Sequence, residues 1–101
     1  MQYVINDTGP AVIVCLDGQV NYASSSDFKS LMEDLSPYFG RKVVFDLEHI
    51  RQIDSVGLGF LYVAKAELER PGQPMGLKAP QEAVLRLLRL TESLDDFDIQ
   101  A

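Results

Sequence analysis

An Asp-Ser pair at the start of a helix-forming segment is the feature of this sequence best suited to chemistry. Asp54 and Ser55 follow a β-prone stretch and precede Val56–Gly59. The first turn of a helix presents free backbone N–H groups and a partial positive charge, so a phosphate on Ser55 would be well tolerated there. Both residue types are also common helix caps. The pair therefore predicts a helix cap, a phosphorylation or docking site, or both together.

Two glycines in the first turns of this helix, Gly57 and Gly59, need a separate explanation. A glycine inside a helix is unfavourable by about 1 kcal/mol relative to alanine. Close approach of another backbone, or of a partner protein, would compensate for that cost because a glycine leaves room where a side chain would clash. The glycines therefore favour a closely packed or docking helix.

Enzymatic and metal chemistry have little support in the same segment. Ser55, His49 and Asp46 would supply the residue types of a nucleophilic triad, but the Gly-x-Ser-x-Gly pattern is absent. Asp46, Glu48 and Asp54 would supply paired acids or Mg²⁺ ligands, yet Asp46 lies inside a predicted strand and nothing else marks a substrate pocket. The single histidine has neither a cysteine nor a second histidine in reach. We expect no enzyme, no cofactor and no metal.

Three further residue types have structural interpretations. Ser24–Ser26 are expected to cap a helix. Cys15, inside an apolar stretch, is expected to be an inert buried thiol. His49 is expected to face solvent in a loop.

Strands and helices alternate along the chain. Hydrophobic patterns and turn residues predict strands at Tyr3–Ile5, Ala11–Leu16, Val43–Leu47, Met75–Lys78 and Asp95–Ile99. Apolar residues at helical spacing predict helices over Asp27–Leu35, from Ser55 onward and over Pro80–Thr91. This order predicts an antiparallel first pair of strands, parallel crossover strands after it, and helices packed against a mixed sheet.

Several boundaries are more specific. Ala11–Leu16 is expected to be buried on both faces, and Asp17-Gly18 to end it. Ile50–Ile53 is expected to form a connector. The helix from Ser55 is apolar nearly all round in its first half, so that half is expected to be buried and the second half to surface. Pro80 suits the first turn of the last helix.

Composition limits the classes of protein that fit. The 101 residues, 47% hydrophobic and 24% charged, are typical of one globular domain spanning residues 1–101. A net charge of −6 without a basic cluster disfavours nucleic acid and anionic membrane surfaces. The longest apolar run is far shorter than the roughly 20 residues of a membrane span. The first residues have neither the basic start nor the long apolar stretch of a secretion signal, so we expect none. One cysteine agrees with a reducing compartment. We expect a cytoplasmic protein.

The chain resembles the STAS domain family, and in particular the small anti-sigma factor antagonists of bacteria. Asp54–Gly59, after a hydrophobic strand, looks like the signature of the family. Leu16–Asn21 is similar to its Gly-x-Leu/Ile-Asp stretch, and Val84–Thr91 looks like its helix that ends in Leu-Thr. The resemblance covers nearly the whole chain in the right order. It implies an α/β fold with a mixed sheet of about five strands and helices packed against it.

The resemblance also implies a switch. In the family, a partner serine kinase, often the anti-sigma factor itself, phosphorylates the serine after the motif's Asp, which is Ser55 here. The unphosphorylated form binds that partner, and a serine phosphatase restores it. The residues that would form the partner-binding surface are Asn21, Asp54, Ser55, Val56, Gly57 and Leu58.

The sequence departs from the family pattern at three positions. Asn21 replaces the usual Asp, which removes a negative charge from the edge of the docking surface. Val56 stands where a second Ser or Thr often occurs. Glu92 replaces the Gly after Leu-Thr, which predicts a different end for the last helix.

A second function fits the same resemblance. The chain would dock on a transporter ATPase or a larger signalling complex without phospho-switching. In either function, an exposed apolar first half of the Ser55 helix would suit a protein partner and would allow weak self-association. Neither function needs nucleic acid or membrane insertion.

Overall fold

A computed structural model describes residues 1–7 and 9–101. In this part of the chain, strands and helices follow each other in the predicted order. They are β1 Gln2–Asn6, β2 Val12–Val20, α1 Ser25–Leu35, β3 Val43–Ile53, α2 Ser55–Leu68, β4 Gly76–Lys78, α3 Glu82–Leu90 and β5 Asp98–Gln100. Three short 3₁₀ turns accompany them, at Tyr22–Ser24, Ser36–Tyr38 and Leu94–Asp96.

The strands form one mixed sheet in the order β1-β2-β3-β4-β5. β1 and β2 are antiparallel, and each later strand is parallel to the strand before it. Each crossover therefore advances by one strand in the same direction, and the usual right-handed connection then places all three α-helices on the same face. Accordingly, buried side chains of the three helices form a single cluster with those of the sheet. The predicted architecture is confirmed.

The prediction that β2 is buried on both faces is wrong, because the helices cover only one face of the sheet. Val12, Val14 and Leu16 are buried under the helices, whereas Ile13 and Cys15 on the opposite face are only partly buried. The strand is thus not buried on both faces, and Cys15 is half-buried rather than buried. Desolvation, followed by the charge of Asp46, raises the pKa of the Cys15 thiol, which keeps it protonated near neutral pH.

β2 and β3 are longer than predicted. β2 continues through Asp17 and Gly18 to Val20, which pairs with Ile53 at the end of β3. Gly18 has a φ of +100°, and the register with β3 shifts on either side of it, so the glycine bends the strand without ending it. The predicted connector belongs to β3, because its backbone pairs with the second half of β2. His49 consequently lies exposed in a strand, not in a loop.

The end of α3 is formed by a glutamate in a conformation that favours glycine. Glu92 has a φ of +55°; its N–H donates to the Arg89 carbonyl at 3.1 Å, and the Ser93 N–H donates to the Leu88 carbonyl at 2.7 Å. This is the hydrogen-bonding pattern of a glycine-terminated helix. The expectation of a different helix end is therefore wrong. The start was also misplaced, because Gln81 is the N-cap and Pro80 precedes it.

We expect Glu92→Gly to stabilise the protein by about 0.5–1 kcal/mol, because glycine adopts a positive φ without a steric cost. Urea unfolding followed by circular dichroism measures the change. Glu92→Ala is the control, since it removes the charge but keeps a side chain in the left-handed conformation. An equal gain in both variants would show that the charge, not the backbone conformation, is responsible.

Candidate functional site

The N-terminus of α2 lies where the long strands β2 and β3 end together. The Asp54 N–H donates to the carbonyl of Val20 at 3.3 Å, directly after the Val20–Ile53 pair of the sheet. The chain beyond Val20 enters the 3₁₀ turn Tyr22–Ser24, which contacts α2. The extended strands thus bring Asn21 and the Asp-Ser pair to the same end of the sheet.

Asp54, and not Ser55, caps the helix. Its backbone is extended, its Oδ1 accepts a hydrogen bond from the Gly57 N–H at 2.8 Å, and its carbonyl accepts from the Leu58 N–H at 2.9 Å. Ser55 is the first helical residue, and its side chain is exposed. Among the described residues, its hydroxyl has no hydrogen-bond partner. Of the two candidate caps, the structure therefore uses Asp54 and leaves the side chain of Ser55 exposed.

We expect Asp54→Ala to lower the free energy of unfolding by about 1 kcal/mol, because the cap hydrogen bond to Gly57 is lost. The neighbouring Ser55→Ala is the matched control and is expected to change stability little. Thermal and urea unfolding of both variants measure the difference. A Ser55→Ala loss as large as that of Asp54→Ala would assign the hydroxyl a structural role.

Of the two glycines in α2, packing within the described chain requires only Gly57. A Cβ on Gly57 would lie 2.1 Å from the Val20 carbonyl oxygen and 2.9 Å from Cγ1 of Ile53. Only glycine allows α2 to approach the end of β2 this closely, which confirms the predicted backbone approach. A Cβ on Gly59 would meet no described atom within 4 Å. The packing of the described chain does not require glycine at this position.

α2 has two apolar faces, of which only one packs against the sheet. Leu58, Leu61, Ala64 and Leu68 are buried. On the other side, Val56 and Val63 are 45% and 48% exposed, and Gly59 and Ala66 between and beyond them are exposed as well. The first half of the helix is therefore not buried throughout as predicted, since a helix lying on one sheet face covers only a stripe of its surface. An uncharged strip of α2 remains uncovered within the described chain.

An exposed tyrosine lies on the 3₁₀ turn that contacts α2. The 3₁₀ turn is fixed by Asn21, whose side chain accepts from the Ala23 N–H at 2.9 Å and whose N–H donates to Ser24 Oγ at 3.2 Å. Buried Ser24 in turn donates to the Gln19 carbonyl at 3.1 Å, so its predicted capping role applies to the turn and not to α1. Tyr22 is 76% exposed on this ordered turn. Sequence reasoning missed Tyr22, because a single aromatic among small polar residues gives no periodic signal.

The expected docking residues separate into two layers. Asp54, Ser55 and Val56 are exposed at the start of α2, and Asn21 is partly buried on the adjacent turn. The other two residues expected on the surface, Gly57 and Leu58, are buried. In the structure, these two residues pack the start of α2 against the rest of the domain.

The alternative chemistries find no convergent site in the described chain. His49 and Asp46 lie six and nine positions before Ser55 on an extended strand, which advances about 3.3 Å per residue, so the three side chains do not form a triad. The described residues contain no group of three or more histidine, cysteine or acidic side chains placed to hold a metal ion. None of the helices observed in residues 1–7 and 9–101 has the length and apolar character needed to cross a bilayer.

Comparison with known proteins identifies both a family and a fold. The STAS domain family model matches residues 2–101. A putative anti-sigma factor antagonist from Thermotoga maritima superposes with a TM-score of 0.83 at 23% identity, covering 98% of this chain and 86% of that chain. An anti-sigma factor antagonist from Mycobacterium paratuberculosis gives 0.83 at 19% identity, covering 98% and 84%.

The Bacillus cell fate determinant SpoIIAA is also similar. Its phosphorylated form gives a TM-score of 0.69 at 14% identity, covering 99% of this chain and 91% of that chain. The anti-sigma factor antagonist SpoIIAA in its unphosphorylated form gives 0.77 at 15% identity, covering 99% and 88%. At these identities the likeness establishes a shared fold.

Proposed function

Because the chain belongs to the STAS domain family, we propose that it is an anti-sigma factor antagonist switched by reversible phosphorylation of Ser55. Its partners are then a serine kinase that also serves as the anti-sigma factor and a serine phosphatase, in the cytoplasm. The observation that carries the proposal is the exposed Ser55 hydroxyl, which the Asp54 cap leaves free of hydrogen bonds to the described residues. Structures of relatives in phosphorylated and unphosphorylated forms support it.

The surface around Ser55 suits a protein partner. Val56 and Val63 of α2 and Tyr22 of the adjacent turn expose apolar area, and α2 carries no charge from Ser55 to Ala64. An exposed apolar patch of this kind is typical of an interaction site. The exposed Gly59 adds a place where a partner approaches the helix backbone closely.

A phosphate on Ser55 would disable this surface without disturbing the fold. It adds about 1.5 to 2 negative charges beside Asp54, so burying it against a partner costs like-charge repulsion and desolvation. In the free protein the helix end still accommodates it, because the N–H groups of Ser55 and Val56 have no partner among the described residues and the helix dipole favours an anion. Bond-making chemistry then belongs to the kinase and the phosphatase, and we propose no catalytic activity for this chain.

The proposal is tested by isolating the protein from its native host and mapping modifications on the peptide covering residues 53–65 by mass spectrometry. Phosphate on Ser55 supports the switch. If Ser55 stays unmodified under all growth conditions, the switch is wrong, and constitutive docking on a transporter ATPase or a larger signalling complex becomes the better function. Both functions use the same exposed surface.

Tyr22 is expected to anchor the partner. Because tyrosine is frequent among residues that dominate interface energetics, Tyr22→Ala should weaken binding of the cognate kinase by about 10- to 100-fold. The side chain is mostly exposed, so stability should stay within about 0.5 kcal/mol of the native protein. Isothermal titration calorimetry with the kinase measures the affinity.

Phe39 provides the matched control for Tyr22. It is 40% exposed and precedes β3, so it lies at the opposite end of that strand from α2. Phe39→Ala should leave the affinity unchanged. Equal losses in the two variants would show that the partner does not dock at the Ser55 end of the sheet.

A further inference from the structure

β1 is an edge strand without the usual protection. It pairs only with β2, through five consecutive residue pairs in regular antiparallel register. Its sequence, Gln-Tyr-Val-Ile-Asn, contains no charged residue, proline or glycine. Natural edge strands commonly carry lysine, proline or a bulge, which prevents them from pairing with another chain. The opposite edge, β5, is only three residues long, and its Asp98 forms an ion pair with Lys42.

No other strand of the described chain pairs with this edge. Beyond β1 it turns toward the start of β3, where Arg41 lies 3.9 Å from the Asp7 carboxylate and donates to the Gly9 carbonyl at 3.1 Å. α1 meets β1 from the helix side, where the Tyr3 hydroxyl donates to Asp34 at 2.7 Å. On the other face Val4, at the centre of β1, is 66% exposed. β1 is thus the terminal strand of the sheet, with exposed side chains at Gln2 and Val4.

We infer that β1 pairs with β1 of a second copy of this chain, antiparallel around a two-fold axis at Val4. The strand is suited to its own copy because residues equally distant from Val4 complement each other. Tyr3 lies opposite Ile5 of the copy, an aromatic and β-branched pair that stabilises neighbouring strands. Gln2 lies opposite Asn6, so no like charges face each other across the axis. The two five-stranded sheets join into one continuous sheet.

This dimer is weak. A single pair of five-residue strands buries less than the roughly 1,200 Å² of a typical stable interface. The acidic residues of α1 that lie near Tyr3, namely Asp27, Glu33 and Asp34, also approach their copies across the axis. Their repulsion limits the affinity, and added salt screens it. Association is therefore expected at high micromolar concentration and is strengthened by salt.

Sedimentation equilibrium of the full chain up to about 1 mM, at low and high salt, tests the inference. Val4→Lys places a charge at the axis, where it faces its copy, and is expected to raise the dissociation constant at least about tenfold. Val4→Thr keeps a β-branched, uncharged residue and is expected to change it by less than about threefold. Val63→Lys introduces the same charge on the exposed strip of α2 and is expected to leave the dissociation constant of the dimer unchanged. Circular dichroism checks that each variant is folded.

Each contrary result overturns the inference. A native protein that is monomeric at about 1 mM leaves no role for a second copy, and an extended segment of a different protein would then be the better occupant of the edge. A dimer abolished by Val63→Lys but not by Val4→Lys forms through α2. The inference is independent of the phosphorylation switch, because Val4→Lys should bind the kinase like the native protein.

Discussion

Ser55→Asp is expected to weaken binding to the partner kinase by about 100-fold, whereas Ser55→Ala is expected to bind with native affinity and to resist phosphorylation. The aspartate places a second carboxylate beside Asp54, next to the exposed apolar side chain of Val56. A partner that covers Ser55 must strip water from both carboxylates, and the uncharged strip of α2 offers them no counter-charge. Isothermal titration with the cognate kinase measures the affinities of both variants.

Stability separates this switch from simple unfolding. An acidic side chain in the first turn of a helix is favourable by about 0.3–1 kcal/mol, so Ser55→Asp should unfold at the same urea concentration as the native protein or slightly above it. Ser26→Asp is the matched control, because it adds the same charge at an exposed position in the first turn of α1. The switch model is wrong if Ser55→Asp binds as tightly as the native protein, or if Ser26→Asp loses as much affinity.

Gly57→Ala is expected to destabilise the protein by about 3 kcal/mol. The added methyl carbon would lie 2.1 Å from the Val20 carbonyl oxygen, which belongs to the backbone of a paired strand and cannot rotate away. To relieve this clash, α2 must move away from the end of β2. That movement breaks the hydrogen bond from the Asp54 N–H to the Val20 carbonyl. Urea unfolding measures the loss. Amide shifts of Asp54 and Ser55 in NMR spectra should report the displacement.

Gly59→Ala is the matched control, two positions along the same helix. Its methyl carbon meets open space, so the change should stabilise the protein by about 0.5–1 kcal/mol through helix propensity alone. The same change from glycine to alanine is thus expected to lower the free energy of unfolding at position 57 and to raise it at position 59. If Gly57→Ala is as stable as Gly59→Ala, the close approach of α2 to β2 does not constrain the sequence.

These expected effects connect packing with function at one point. Gly57 allows the helix to meet the sheet end, and Asp54 then caps the helix with its own side chain. Ser55 is left exposed as a consequence, and not through any interaction of its own. Because the fold depends on Gly57 and Asp54 and not on the Ser55 hydroxyl, we expect that a phosphate on this hydroxyl does not reduce the stability of the protein.

Much of this arrangement follows from local sequence. The alternation of β-branched runs with helical periodicity determined the order of the elements and the mixed sheet. The Asp-Ser pair before an apolar segment determined that a helix starts there, and Gly57 indicated the close packing that the structure shows. These features depend on backbone propensity and capping, which act within a few residues of the chain.

Other features were decided only by the tertiary structure. Asp17-Gly18 reads as a break, yet β2 continues through it because β3 supplies hydrogen-bond partners on the far side. By residue type, either Asp54 or Ser55 could cap α2. Asp54 is the cap because it directly follows the Val20–Ile53 pair of the sheet and its backbone is still extended there. The apolar residues of α2 do not reveal which of them are covered, since helices on one sheet face bury a single stripe of each helix. The exposed strip beside Ser55 exists because the sheet and its neighbours leave that side of α2 uncovered, which depends on contacts between residues distant in the chain.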